Sequence, residues 1–218
     1  MPRIGPDISH FQEKVDLARA KGHVDFVFLK ATDGKKTRGA MFVDRTFAPR
    51  WRQLADLGIP RGAYHYARPN TSPADQAAHF IAVVQASGFR ARDVAILDME
   101  DRKASRGLSP SALRKWVDRW VAEVRRALPV QDVVLYTGIP YWTSQLGDPP
   151  RLPAGCIGMI ARYNRRGPFV RPPGRPRAWP DPPAIWQFTD GKKGRVTHIP
   201  GLGKVDTSEM TEAAFDRL

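Results

Sequence analysis

Short apolar runs rich in β-branched and aromatic residues alternate with amphipathic runs along most of the 218-residue chain, and that alternation constrains the fold more than any other feature. Strands are predicted at residues 4–8, 26–29, 62–66, 94–99, 133–136, 155–161 and 184–188, and helices at 12–21, 45–57, 73–86 and 110–128. The punctuation agrees. Gly22, Gly58 and Gly88 stop the first three helices, while Ser72 and Ser109 are N-caps followed by a proline at the first helical position. In the last helix Leu113, Trp116, Val117, Trp120, Val121, Val124 and Leu128 follow 3–4 spacing, so both tryptophans are read as core. Repeated strand–helix units imply a parallel sheet with helices outside it. Length and a count of about eight strands favour closing that sheet into one α/β barrel over residues 1–218. The regularity fades late: RRGPFVRPPGRPRAWPDPP, residues 165–183, is too dense in proline for regular structure, so the barrel is expected to be irregular there.

The formal charge is +13, from 35 Lys+Arg against 22 Asp+Glu. A field of that sign attracts polyanions: nucleic acid, an anionic membrane or an anionic cell wall. Arginine-rich composition also follows from GC-rich coding, and the two readings are compatible. Cys156 is the only cysteine, which excludes an intramolecular disulfide; it sits in an apolar stretch and reads as a buried, inert thiol. The five histidines show no metal-ligand spacing, so neither a metal nor another cofactor is expected. No stretch reads as a membrane span or a secretory signal, so synthesis in the cytoplasm without a signal peptide is expected.

The sharpest local feature is AILDMED, residues 95–101. In a strand, residues i and i+2 share a face, ~6.6 Å apart along the chain. Asp98 and Glu100 therefore project together, while Met99 and Asp101 turn away. The end of a βα strand is where barrel active sites are built. Two carboxylates at one site push their pKa values apart, so one can hold a proton while the other stays anionic; glycoside hydrolysis requires such a pair. Taken alone, the tetrapeptide also reads as a polar strand end opening a loop. Other strand ends add weight. Asp7 ends the first strand, and Tyr64 and Tyr66 share a face at the end of the third with His65 opposite. Tyr136, Tyr163 and the Trp186-Gln187 pair stand near later strand ends. Aromatic rings and polar groups at one rim suit a sugar cleft.

These pieces, in order, resemble glycoside hydrolase family 25, the Chalaropsis-type lysozymes of phages, bacteria and fungi: GPDISHFQ (5–12), FVFLKATDG (26–34), GAYHYARP (62–69), AILDMED (95–101), VVLYTG (133–138), IARYN (160–164), AIWQF (184–188) and GKVD (203–206). The resemblance implies an irregular (β/α) barrel of eight strands and five helices. It implies cleavage of the β-1,4 bond between N-acetylmuramic acid and N-acetylglucosamine in bacterial peptidoglycan. Glu100 matches the general acid, and Asp98 the partner that stabilises developing positive charge, through the substrate's own N-acetyl group. Asp7 and Asp206 match supporting acids. Lys30, Tyr64, Tyr66, Tyr136, Tyr163 and Trp186 match the sugar-facing rim. Three features depart from the family pattern: Asp33 stands where glutamate is usual, the aromatic before A-x-Y is displaced in MIARYN, and the 165–183 loop is longer and more basic.

Together these readings suggest a monomeric phage or prophage endolysin that reaches the wall after the membrane is breached. Neither a separate wall-binding domain nor membrane insertion is expected, and the basic loop at 165–177 is expected to hold anionic wall polymers. Other readings stay open. A chitinase-type barrel also ends a strand in D-x-E, but Ala95, Ile96 and Leu97 stand where that pattern places further aspartates. A basic nucleic-acid-binding protein fits the charge, yet no binding motif is present, and GLGK (201–204) is too short for a phosphate loop. A catalytically dead wall-binding module conflicts with retention of all four acids.

Overall fold

The computed structural model describes residues 2–34, 40–163, 176, 178–180 and 183–218. In chain order these form β1 (Arg3–Ile8), α1 (Leu17–Ala20), β2 (Val27–Asp33), β3 (Phe42–Val43), α2 (Phe47–Leu57), β4 (Arg61–Tyr66), α3 (Pro73–Ala86) and β5 (Val94–Asp98). There follow α4 (Pro110–Ala127), β6 (Val133–Gly138), α5 (Ile139–Ser144), β7 (Cys156–Ala161), β8 (Ile185–Asp190), β9 (His198–Ile199), β10 (Gly203–Lys204), β11 (Asp206–Met210) and α6 (Glu212–Arg217).

Eight strands close into a barrel in the order β1, β11, β8, β7, β6, β5, β4, β2, with β2 returning to β1. Every neighbouring pair is parallel except those of β11, which runs antiparallel to both β1 and β8. That reversed strand is the irregularity of the barrel. Its first residue, Asp206, therefore lies at the rim where the parallel strands end. β3 adds antiparallel to the end of β2, and β9 and β10 form a separate two-stranded ribbon.

Burial explains why these segments are strands. Every residue of β2 and of β5 is buried, as expected where one strand face meets the barrel interior and the other meets helices. Phe26, Phe28, Val94, Ile96, Val134, Met159, Ile185 and Met210 fill the interior. Gly62 makes room there: a Cβ would stand 2.7 Å from the Phe28 ring. Outside, α4 turns Leu113, Trp116, Val117, Trp120, Val121 and Val124 inward, as the spacing predicts. Both tryptophans are core. Ser72 caps α3 by accepting from Asp75 N, Ser109 caps α4 by accepting from Ala112 N, and Gly58 ends α2 in the left-handed region at φ 67°.

The structure corrects several boundaries. The helix expected at 12–21 is confined to Leu17–Ala20, because residues 9–12 form a turn of their own and Asp16 caps the helix by accepting from Arg19 N. β2 runs four residues past the expected end, to Asp33, because its polar residues find buried partners: Lys30 with Asp33, and Thr32 with His65. Six helices appear among the described residues rather than five. The sixth, α6, sets Ala214 and Phe215 against the barrel floor beside Met210. Arg165, Arg166, Arg171, Arg175 and Arg177, the arginines of the basic loop, lie outside the described residues. No helix among the described residues is long and apolar enough to cross a membrane.

Candidate active site

The parallel ladders align Tyr66 with Asp98 and Asp98 with Tyr136, so β4, β5 and β6 present one row of side chains at their ends. Asp98 is the last residue of β5. Glu100 lies two residues beyond that strand end, not on the strand as expected, yet both carboxyls line the same cleft. Asp7, near the end of β1, and Asp206, opening β11, complete its four acids. Lys30, Tyr64, Tyr66, Tyr136 and Gln187 share the lining, and the cleft encloses about 330 Å³. A larger cavity of about 780 Å³ opens at the other end of the barrel, where the strands begin. Its side-chain carboxyls are Asp216 and Asp93, and Asp93 is held by Arg61 at 2.8 Å, so it offers no facing pair for acid chemistry.

Burial dominates the electrostatics of the cleft. It pushes Asp98 well above the usual carboxylate range, with Glu100 adding to the effect and Lys30 opposing it. Glu100 is raised first by burial and then by Asp206, against Lys30 and the nearby Tyr136 hydroxyl. Asp7 is pushed up to about 8 by burial and by Asp206, and Asp206 to about 6 by burial and by Asp190. Four acids that share one poorly solvated basin cannot all ionise near neutrality, so the site stores protons. Asp98 Oδ1 is buried without a hydrogen-bonding partner among the described residues. It is therefore an available acceptor for a substrate donor.

A polar cluster fixes one wall. Gln187 Nε2 donates to Asp7 Oδ2 at 2.8 Å. Its Oε1 accepts from the Tyr136 hydroxyl at 3.0 Å and the Tyr163 hydroxyl at 2.8 Å. On the opposite wall, Lys30 Nζ lies 4.8 Å from the centre of the Tyr66 ring and 3.2 Å from Asp33 Oδ2. Asp33 also accepts from Arg68 Nε at 2.7 Å, and Arg68 stacks 4.5 Å from the same Tyr66 ring. The shortened acid at position 33 thus holds two cations, Lys30 within β2 and Arg68 just beyond β4. Asp101 takes the structural role expected of it: it binds Arg68 and accepts from Lys103 N and Ala104 N.

Trp186 is not on the rim. It is 1% exposed, packs in the layer outside the barrel with Phe188, and donates from Nε1 to Arg162 O at 2.8 Å. Strand alternation explains the exchange: Ile185 and Gln187 face the barrel interior, so Trp186 and Phe188 face out. The sequence places the Trp186-Gln187 pair near the rim and assigns the sugar contact to Trp186; Gln187 lines the cleft instead. His65 faces away from Tyr64 and Tyr66 as expected. It is buried between Thr32 Oγ1 and Gln76 Oε1 and stacks on Trp120, and burial lowers its pKa to about 4. Cys156 is half-buried rather than fully buried, and burial pushes its thiol up to about 12, which leaves it inert near neutrality.

Comparison with known proteins agrees with this geometry. The model of the glycosyl hydrolases family 25 matches residues 6–196. The chain belongs to that family. It is 29% identical over 219 residues to lysozyme M1 of Streptomyces globisporus, covering 96% of this chain and 68% of that protein. It is 32% identical over 204 residues to the uncharacterized protein YegX of Escherichia coli K12, covering 90% of this chain and 66% of that one. The chain thus spans about two thirds of the length of these relatives. The crystal structure of the bacterial lysozyme from Streptomyces coelicolor superposes with a TM-score of 0.79 at 26% identity, covering 100% of this chain and 99% of that one. Family membership makes the chain a glycoside hydrolase, and the acid-lined cleft at the strand ends is its candidate catalytic centre.

Proposed function

We propose that this family 25 enzyme is a peptidoglycan muramidase in which Glu100 is the general acid and Asp98 its charge-stabilising partner. The observation that carries the assignment is the pair itself: two carboxyls at one strand end, Asp98 buried and Glu100 open to the cleft that Lys30 also lines. Glu100, raised by burial and by its acidic neighbour, keeps its proton and delivers it to the bridging oxygen as the C1–O bond breaks. Positive charge then develops at C1 of the muramyl residue. The unpartnered Oδ1 of Asp98 accepts from the N-acetyl amide N–H, and that hydrogen bond, with Lys30, favours the anion that stabilises the charge. Water adds at C1 and its proton returns to Glu100. Asp206 supplies the field that keeps Glu100 protonated, and Asp7 supports the basin from the strand position opposite Asp206, while Tyr64, Tyr66, Tyr136 and Tyr163 bind sugar. The +13 charge draws the enzyme to anionic wall polymers.

Mass spectrometry of fragments released from purified peptidoglycan tests this reading. Cleavage on the expected side leaves N-acetylmuramic acid at the new reducing end. New N-acetylglucosamine reducing ends, or release from chitin in preference to peptidoglycan, would replace the muramidase reading with a glucosaminidase or chitinase.

A further inference from the structure

Two elements outside the acid basin place exposed aromatic rings beside it. Phe11, in the loop after β1, is 76% exposed, and Phe42, on β3, is 41% exposed. Apolar rings left in water forgo the burial that stabilises the rest of the fold. These rings are nevertheless held in place. The His10 ring lies between them, its centre 4.2 Å from that of Phe11 and 5.3 Å from that of Phe42. Asp44, whose side chain is fully buried, contacts His10 Nδ1 at 2.7 Å and accepts from His10 N at 2.9 Å. The other Asp44 oxygen accepts from Thr46 N and Thr46 Oγ1, so the carboxylate cannot swing away.

The loop that carries Phe11 is equally well determined. Arg50 donates to Ser9 O at 2.7 Å and to Gln12 O at 2.5 Å. The Gln12 side chain accepts from Ser9 N at 2.9 Å, and Ser9 Oγ accepts from Phe11 N at 3.3 Å. A loop with its polar groups satisfied in this way, yet projecting a phenyl ring into solvent, is built to present that ring.

The patch also continues into the cleft. Phe11 is part of the cleft lining. Lys30 Nζ bridges the two regions, 5.8 Å from the centre of the Phe42 ring and 4.8 Å from that of Tyr66. We infer that Phe11, His10 and Phe42 form a further saccharide-binding subsite, which takes one more pyranose of a glycan strand running out of the catalytic cleft. The apolar C–H face of a pyranose stacks on such rings while its hydroxyls stay in water at the rim. A protein partner could also use an exposed aromatic patch, but continuity with a sugar-cleaving cleft favours the glycan. This inference rests on the glycan reading above.

The test uses the whole chain carrying Glu100→Gln and soluble oligomers of alternating N-acetylmuramic acid and N-acetylglucosamine, from disaccharide to octasaccharide. Affinity, measured by calorimetry, is expected to rise with length until the aromatic subsite is filled. Phe42→Leu keeps an apolar side chain and removes the ring. It should weaken binding of the longer oligomers by about three- to tenfold and leave the disaccharide unaffected. Phe42→Trp should restore the length dependence. An unchanged length dependence in Phe42→Leu, or an equal loss at every length, overturns the subsite while leaving the muramidase reading intact. If the chain binds none of the oligomers, both fail together.

Discussion

Asp7 and Asp206 stand directly opposite each other in the antiparallel β1–β11 ladder, and Asp206 is in turn paired with Asp190 on β8. Three carboxyls therefore cross three neighbouring strands at the rim of the cleft. Like charges placed opposite each other repel, and burial adds to the cost of ionising Asp7 and Asp206, whereas the Lys192 and Lys193 N–H groups hold Asp190 below its ordinary value.

That arrangement predicts a pH-dependent stability. The Asp7 pKa in the fold is raised to about 8 from its ordinary 3.8, first by burial and then by Asp206. A raised carboxyl favours the fold while it is protonated. Its contribution is complete below about pH 4 and is lost as pH rises towards about 8. Asp7→Asn removes the ionisation and keeps the size of the side chain. Its melting temperature should exceed that of the wild type by at least roughly 3 °C at pH 8, and the gain should vanish near pH 4. Thermal melts across that range check it. A constant offset at every pH would show that Asp7 does not titrate in the fold.

The acid pair predicts two different pH profiles. Glu100→Gln should fold normally and lose about 10²–10⁴-fold in kcat, since an amide has no proton to give. Asp98→Asn should lose turnover on a similar scale because the charge at C1 loses its anion. Glu100 must be protonated to act, so the alkaline limb of the wild-type profile belongs to it. Residual activity of Asp98→Asn should keep that limb, and residual activity of Glu100→Gln should lack it. The opposite pattern would exchange the two roles.

Which features were legible in the sequence follows from the physics of each. Asp98 and Glu100 announced themselves because an all-apolar strand ended abruptly in acids at period-two spacing. Gln187 was named at the rim but passed over for Trp186, because Trp186 and Phe188 are large aromatics of the outer packing layer and aromatic content drew attention to the wrong face. β11 was hidden for a different reason. DTSEM is mostly polar, and Thr207 and Ser208 are buried by ladder pairing that no local pattern reveals. Asp206 was therefore visible only through family resemblance. The lower half of the expected first helix failed because Arg50, thirty-eight residues beyond Gln12, holds residues 9–12 in a turn, and propensity does not register such a contact.

The basic surface predicts a salt effect confined to intact walls. Attraction between exposed charges is screened over a Debye length of about 8 Å at physiological ionic strength. Raising salt from low to high concentration should weaken adsorption to isolated walls and slow their lysis. Turnover of a short soluble muropeptide should change much less, because its binding depends on the cleft. Equal slowing on both substrates would place the salt-sensitive charges inside the cleft.

The last prediction concerns Gln187, which ties Asp7 to the Tyr136 and Tyr163 hydroxyls. Gln187→Leu keeps the volume but leaves both hydroxyls without their acceptor and Asp7 without its donor. Losing buried partners on this scale costs about 1–3 kcal/mol each, so the variant should melt earlier and turn over roughly tenfold more slowly at every pH. Gln187→Glu discriminates further. When protonated, the new carboxyl can donate to Asp7 and accept from the tyrosines, so activity should approach that of wild type under acid conditions. Once ionised, it can no longer donate to Asp7, so activity should fall as the new carboxyl titrates. Trp186→Phe is the companion control, because the indole lies in the outer layer and not in the cleft lining. It should lower stability slightly through the lost bond to Arg162 O and leave KM for glycan unchanged. A selective rise in KM for Trp186→Phe, together with a neutral Gln187→Glu at all pH values, would reverse the assignment and return the indole to the sugar-facing rim.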